Sequence, residues 1–148
     1  MPAVGTDVRK LVKDGYPAEG IIGCDIRESY ITLGYKLYKD SPSSLPIHFI
    51  MGDIFELPIS SEFPVSNHPL SAVTFLEELR GRVTYIYIGA LFHIFDEDTQ
   101  YALASRLACL VSRKGTNIIF GRHQGKPEEG IIDGLLGRLE LVYLLLIL

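Results

Sequence analysis

The chain has 148 residues, 47% of them hydrophobic, and a formal net charge of −4 at pH 7. That length fits one domain with a real core, and the composition argues for a globular fold. The mildly negative balance excludes a nucleic-acid binder that relies on a basic surface.

The N-terminus lacks the apolar stretch of a signal peptide, which places the protein in the cytoplasm as an expectation. "TDVRKLVKDG" sets Val8, Leu11 and Val12 on one helical face, with Thr6 or Asp7 as N-cap and Gly15 as a stop. "GIIGCD" reads as a short strand that delivers Asp25 at its tip. "RESYITLGYKLYKD" has Tyr30, Ile31, Leu33, Tyr35, Leu37 and Tyr38 at largely helical spacing, with Pro42 beyond its end. "PIHFIMGD" is a second strand, ending in Asp53. "SAVTFLEELRG" reads as a helix closed by Gly81, and "RVTYIYIGA", β-branched and aromatic, as a central strand. "DEDTQYALASRLACLVSRKG" is the clearest helix, acidic at its start, basic at its end and stopped by Gly115. "TNIIFG" is a further strand. The spans expected for the four strands lie near 20–24, 47–51, 83–89 and 116–121.

Residues 126–148 form an atypical apolar tail ending in "LLGRLELVYLLLIL". Its apolar run is too short, and too interrupted by Arg138 and Glu140, for a membrane span. "LELVYLLLIL" is apolar on both faces, as a buried central strand must be, so it is expected to pack against an open edge or face of the sheet. Left uncovered, it would offer a surface for self-association or for a partner.

Alternating helices and strands predict an α/β fold: a Rossmann-like, doubly wound, mostly parallel sheet with helices on both faces, in one domain over 1–148. One feature departs from that plan. Such folds open with a strand feeding a glycine-rich turn, and only "MPAV" precedes Gly5.

Two carboxylates fall at strand ends, Asp25 and Asp53. In open α/β sheets ligands sit outside the carboxyl ends of strands, and a carboxylate there can accept from both hydroxyls of a vicinal diol. The spacing from Gly5 to Asp25 is about that between the glycine turn and the ribose-binding acid of the dinucleotide fingerprint. Asp25 serves equally well as a cap for the next helix, and "GDIFELP" around Asp53 also reads as a turn. His93, after the strongest strand, has two readings: a general base near a substrate, or a packed, hydrogen-bonded residue. His123 lies in a polar loop, either touching a substrate or simply exposed, and His48 and His68 carry no specific signal. Cys24 and Cys109 read as buried free thiols. No histidine or cysteine pair has zinc-site spacing, so no metal is expected, and no Walker A loop is present.

Taken together, "GTDVRKLVKDG", "GCDIRESYITLGYKLYKD", "MGDIFE" and "ALFHIFDEDTQYALASRLACLVSRKGTNIIFGRHQG" resemble the class I S-adenosylmethionine-dependent methyltransferases of fungal secondary metabolism, most of all those of terpenoid and meroterpenoid pathways. The resemblance runs from about Gly5 to Gly125. It implies S-adenosylmethionine as cofactor and a small natural-product acceptor, methylated on a carboxylate or hydroxyl oxygen, with no nucleic acid and no membrane span. It implies that Gly5 ends the loop under the methionine part of the cofactor, that Asp25 binds the ribose hydroxyls, and that Asp53 with the backbone of Ile54 meets the adenine. Gly89 and Ala90 would flank the methionine moiety, and Phe92 and His93 would open the acceptor side, with His93 as base for a hydroxyl acceptor.

Members of that group carry a full first strand and glycine-rich loop upstream of Gly5, and an acceptor region and closing hairpin after "GRHQG". The expectation is therefore a partial domain, truncated at both ends, whose cofactor binding is weak or undetectable. Two rival readings follow: an inactive remnant kept as a binding module, and a cofactor-independent cyclase or isomerase on the same fold.

Overall fold

The computed structural model describes residues 5–60, 66–123, 125 and 127–128, and the backbone of Tyr143–Ile147. Helix α1 (Thr6–Lys13) is capped by Gly5, whose φ of 74° is left-handed, and not by Thr6 or Asp7. The Thr6 side chain points elsewhere: its Oγ1 lies 2.7 Å from the Tyr38 hydroxyl.

Strand β1 (Ile21–Asp25) is buried along its whole length. It leads into α2 (Glu28–Tyr38), which ends on left-handed Lys39. Strand β2 (His48–Met51) then lies parallel to β1, with Asp25 opposite Met51.

The helix expected over "SAVTFLEELRG" is not an α-helix. Two 3₁₀ turns, Leu70–Ala72 and Leu76–Leu79, flank an extended stretch that includes Val73 and Phe75. The physical reason is local. Glu78's carboxylate accepts the backbone N–H groups of Thr74 (2.7 Å) and Phe75 (2.9 Å), and so caps the second turn from outside. Val73, Leu76 and Leu79 are buried at a spacing of three, the period of a 3₁₀ and not of an α-helix.

Strand β3 (Tyr85–Gly89) begins later than expected, since Val83 makes only an isolated bridge to Val111. Helix α3 (Glu97–Leu110) is capped by Asp96, which accepts from Thr99 N–H at 2.8 Å. It stops at Leu110, not near Gly115, because tertiary bonds take its last carbonyls: Gly81 N–H donates to Cys109, and Arg82 and Val83 N–H to Leu110. Strand β4 (Ile118–Arg122) pairs parallel with β3.

The sheet order is β2-β1-β5-β3-β4, where β5 is Tyr143–Ile147. This corrects the mostly parallel sheet in one respect. The two parallel pairs are joined by β5, which is antiparallel to both β1 and β3. Two inner edges of unpaired N–H and C=O groups need a partner, and a chain segment returning between them supplies it. The place where the first strand was expected is thus filled from the C-terminal end. The tail was expected against an open edge or face of the sheet, and the backbone of Tyr143–Ile147 lies between two strand edges. Its edges are paired on both sides, which removes that backbone as a strand-pairing surface for a second chain. The rest of the tail, 129–142 and Leu148, lies outside the described residues.

Side chains alternate across the strands and build two layers. Ile22, Cys24, Ile50, Ile86 and Ile88 join Leu103, Leu107 and Leu110 of α3 and the 3₁₀ turns on one face. Ile21, Phe49 and Tyr87 join Val8, Leu11 and Val12 of α1 on the other. Tyr35 of α2 packs edge-on against Phe49, which puts α2 on the α1 face. Helices therefore cover both faces, as the alternation required.

Candidate functional site

Because β5 is antiparallel to both of its neighbours, β1, β2, β3 and β4 all run the same way, and their carboxyl ends share one edge. Asp25 lies opposite Tyr143, and Ile88 opposite the next residue, Leu144, so the ends of β1 and β3 are level. With one strand between them they stand roughly 10 Å apart, the width of a small ligand.

Asp25 is 1% exposed. Its Oδ1 accepts from Arg27 N–H at 2.9 Å, while Oδ2 is buried and has no hydrogen-bond partner among the described residues. The capping alternative is thus met by one oxygen only, through a turn preceding α2, whose own N-cap is Arg27. Burial pushes the Asp25 carboxyl up to about 6, with the Arg27 N–H bond and the Arg27 charge pulling the other way. A buried carboxylate oxygen without a donor costs free energy, so its presence at a strand tip needs an explanation. Beside it, burial and then the charges of Asp25 and Asp53 push the Cys24 thiol up to about 12, leaving it un-ionised and unreactive.

Asp53 follows β2 on the same edge. Its Oδ1 accepts from Phe55 N–H at 2.8 Å and caps a 3₁₀ turn, Ile54–Glu56, so the turn reading of "GDIFELP" is realised. Ile54 is fully buried, with its side chain in the core. Asp53 also lines a cleft of about 530 Å³ beside the ends of β1 and β2. Its walls include Ile26, Met51, Leu57, Phe75 and Leu76; its charged members among the described residues are Asp53, Glu56 and Glu77. Sequence reasoning reached Asp53 but missed the remaining walls. Ile26 could have been found as the residue following the strand-tip acid. Phe75 and Glu77 could not, because they were assigned to a helix that does not form.

On the other half of the edge, Gly89 leads into Ala90, which is left-handed at φ 58°, an uncommon conformation for a residue with a Cβ. Ala90 N–H donates to Arg122 C=O at 2.7 Å, and the chain then turns into a 3₁₀ segment, Phe92–Ile94. His93 is half-buried in that segment. Its ring lies 6.3 Å from that of His123, which follows β4, and Phe92 packs edge-on against His123 at 5.3 Å. Strand pairing thus brings together two histidines that sequence reasoning treated separately. A Cβ at Gly5 would meet Arg9 and Phe49 first. Among the described residues no group of three or more histidine, cysteine or acidic side chains could hold a metal ion, and no helix is long and apolar enough to cross a membrane.

The fold is thus an α/β sheet with acids at the carboxyl ends of adjacent parallel strands, on the edge where ligands sit in open α/β sheets. Comparison with known proteins narrows the class. The chain is 32% identical over 120 residues to Asnovolin E/Chermesin D methyltransferase nvfJ of Aspergillus novofumigatus, a match covering 81% of this chain and 38% of that protein. It is 28% identical over 127 residues to O-methyltransferase phiE of a fungal species, covering 86% and 37%. It is 27% identical over 141 residues to Methyltransferase adrK of Penicillium rubens, covering 95% and 46%. Over most of its length the chain is thus similar to fungal methyltransferases, and it spans less than half the length of these relatives. No protein-family model matches the chain, and no solved structure matches it significantly.

Proposed function

We propose that this chain forms the cofactor-binding part of an S-adenosylmethionine-dependent methyltransferase of fungal secondary metabolism. The acceptor in this reading is a small terpenoid-type natural product, methylated on a carboxylate or hydroxyl oxygen. The observation that carries it is the buried, unpartnered Oδ2 of Asp25 at the tip of β1. A ribose diol is the ligand group that donates two hydrogen bonds to one such carboxylate.

In this reading the cleft beside Asp53 takes the base end of the ligand. Ile26 and Phe75 offer apolar walls for a flat base, and Asp53 an acceptor for an exocyclic amine. Among the described residues the charged lining is acidic, which disfavours a nucleotide phosphate there and favours a phosphate-free nucleoside. When bound, the cofactor supplies a methyl group made electrophilic by a sulfonium. Gly5, Gly89 and Ala90 form its methionine side in this reading, and Ile54 contributes backbone to the base end. A carboxylate acceptor is already ionised at neutral pH and needs only alignment and exclusion of water. A hydroxyl acceptor needs a base, which is the role assigned to His93.

Calorimetric titration of the chain with S-adenosylmethionine tests this reading. Saturable binding is expected, and Asp25→Asn should weaken it by roughly tenfold or more, the effect of losing a charge-assisted hydrogen bond worth ~1.5–3 kcal/mol. Binding indifferent to Asp25→Asn, or no binding at all, would overturn it.

A further inference from the structure

Arg9 is an arginine inside the fold, 8% exposed. Its Nε and one terminal nitrogen grip both carboxylate oxygens of Asp40, at 2.7 and 2.9 Å. The other terminal nitrogen donates to the backbone carbonyl of Gly5 at 3.3 Å. The guanidinium is packed by aromatic rings, with Tyr38 at 4.8 Å and Tyr35 and Phe49 each at 5.4 Å from their centroids. The fit around Gly5 is close: a Cβ there would sit 2.6 Å from that terminal nitrogen of Arg9. A second tie runs alongside, from Thr6 Oγ1 to the Tyr38 hydroxyl. The turn that opens α1 is thereby fastened to the end of α2.

A buried ion pair is a poor source of stability, because desolvating both charges offsets most of their attraction. What a bidentate guanidinium supplies is fixed geometry, since its planar fork admits few orientations. We infer that Arg9 is a positioning residue: gripped by Asp40, it holds the Gly5 turn, assigned above to the methionine side of the cofactor, in its left-handed form. The functional half rests on the reading of Gly5 as part of the cofactor site. The conformational half can be measured without any ligand.

The experiment compares the 148-residue chain with Arg9→Lys and Asp40→Asn by amide hydrogen exchange, urea denaturation and calorimetric titration with S-adenosylmethionine. Lysine keeps the charge but cannot hold Asp40 and Gly5 together, and Asp40→Asn loosens the grip without touching Gly5. Both variants should speed exchange of the backbone amide at position 9, which donates to the Gly5 carbonyl, more than in the β-strands, and both should weaken binding at least about tenfold. A general rise in exchange, in step with lost global stability, would mean a merely structural pair and overturn the inference. Binding by the parent chain that both variants retain unchanged would also overturn it, while leaving the cofactor reading intact. Failure of the parent to bind would defeat the cofactor reading. The positioning claim would then stand or fall on whether exchange rises locally at the Gly5 turn. Should either single variant fail to fold, the paired change Arg9→Met with Asp40→Leu, which replaces the charges by similar volume, carries the same test.

Discussion

The raised proton affinity of Asp25 makes stability depend on pH in a direction opposite to the usual carboxylate. Burial lifts this carboxyl from its ordinary value to about 6. The folded protein therefore holds the Asp25 proton more tightly than the unfolded chain does. Between about pH 4 and pH 6 the folded state binds more protons, so stability falls as pH rises through that window and levels off above it. From an ordinary value near 3.9, the shift corresponds to roughly 3 kcal/mol lost from the Asp25 contribution by pH 7. Asp25→Asn retains an oxygen for the Arg27 N–H and cannot ionise, so this slope should vanish. Urea denaturation of both proteins at several pH values from 4 to 7 measures it. The variant's stability relative to the parent should climb by about 3 kcal/mol across the range. Using the difference cancels other titrating groups. Parallel curves would refute the claim that Asp25 is buried without a partner for its second oxygen. Ligand binding should follow the same group: a diol prefers the carboxylate, so affinity for S-adenosylmethionine should fall as pH drops below about 6.

Leu145 of β5 is paired with Gly23 on one side and Tyr87 on the other. Leu145→Pro removes a ladder donor from a central strand, and should cost ~3 kcal/mol or more by urea denaturation, whereas an unchanged midpoint would refute the placement of β5. A Cβ at Gly121 would come within 1.9 Å of the Ile88 carbonyl oxygen, so Gly121→Ala must displace β4 from β3. The expected loss is about 1–3 kcal/mol, with faster amide exchange in β4 as the local signature. Glu78 behaves oppositely to Asp25: the N–H groups of Thr74 and Phe75 hold its carboxyl down at about 2. Its contribution is present above the ordinary carboxylate range and lost as pH falls towards 2, so Glu78→Gln should flatten the acid limb of a thermal-melting profile.

The sequence by itself determined the elements that depend on local pattern. The buried run Ile21–Asp25, the helical spacing from Tyr30 to Tyr38 and the acid-capped helix after Asp96 all carry their periodicity and end signals within a few residues. It also determined that acids stand at the tips of the first two strands, because a strand followed at once by a helix or turn fixes where its carboxyl end lies. Only the tertiary structure decided what depends on groups far apart in the chain. The helix after Asp96 ends early because carbonyls of Cys109 and Leu110 are claimed by Gly81, Arg82 and Val83. Residues 71–81 break into 3₁₀ turns because Glu78 reaches back to the Thr74 and Phe75 amides while Val73, Leu76 and Leu79 turn into the core. The strand between β1 and β3 comes from the far end of the chain, and runs antiparallel, because open ladder edges accept whatever segment can return between them. The second oxygen of Asp25 is buried without a donor among the described residues, which no local pattern records, because burial depends on tertiary packing and only Oδ1 meets the local Arg27 N–H.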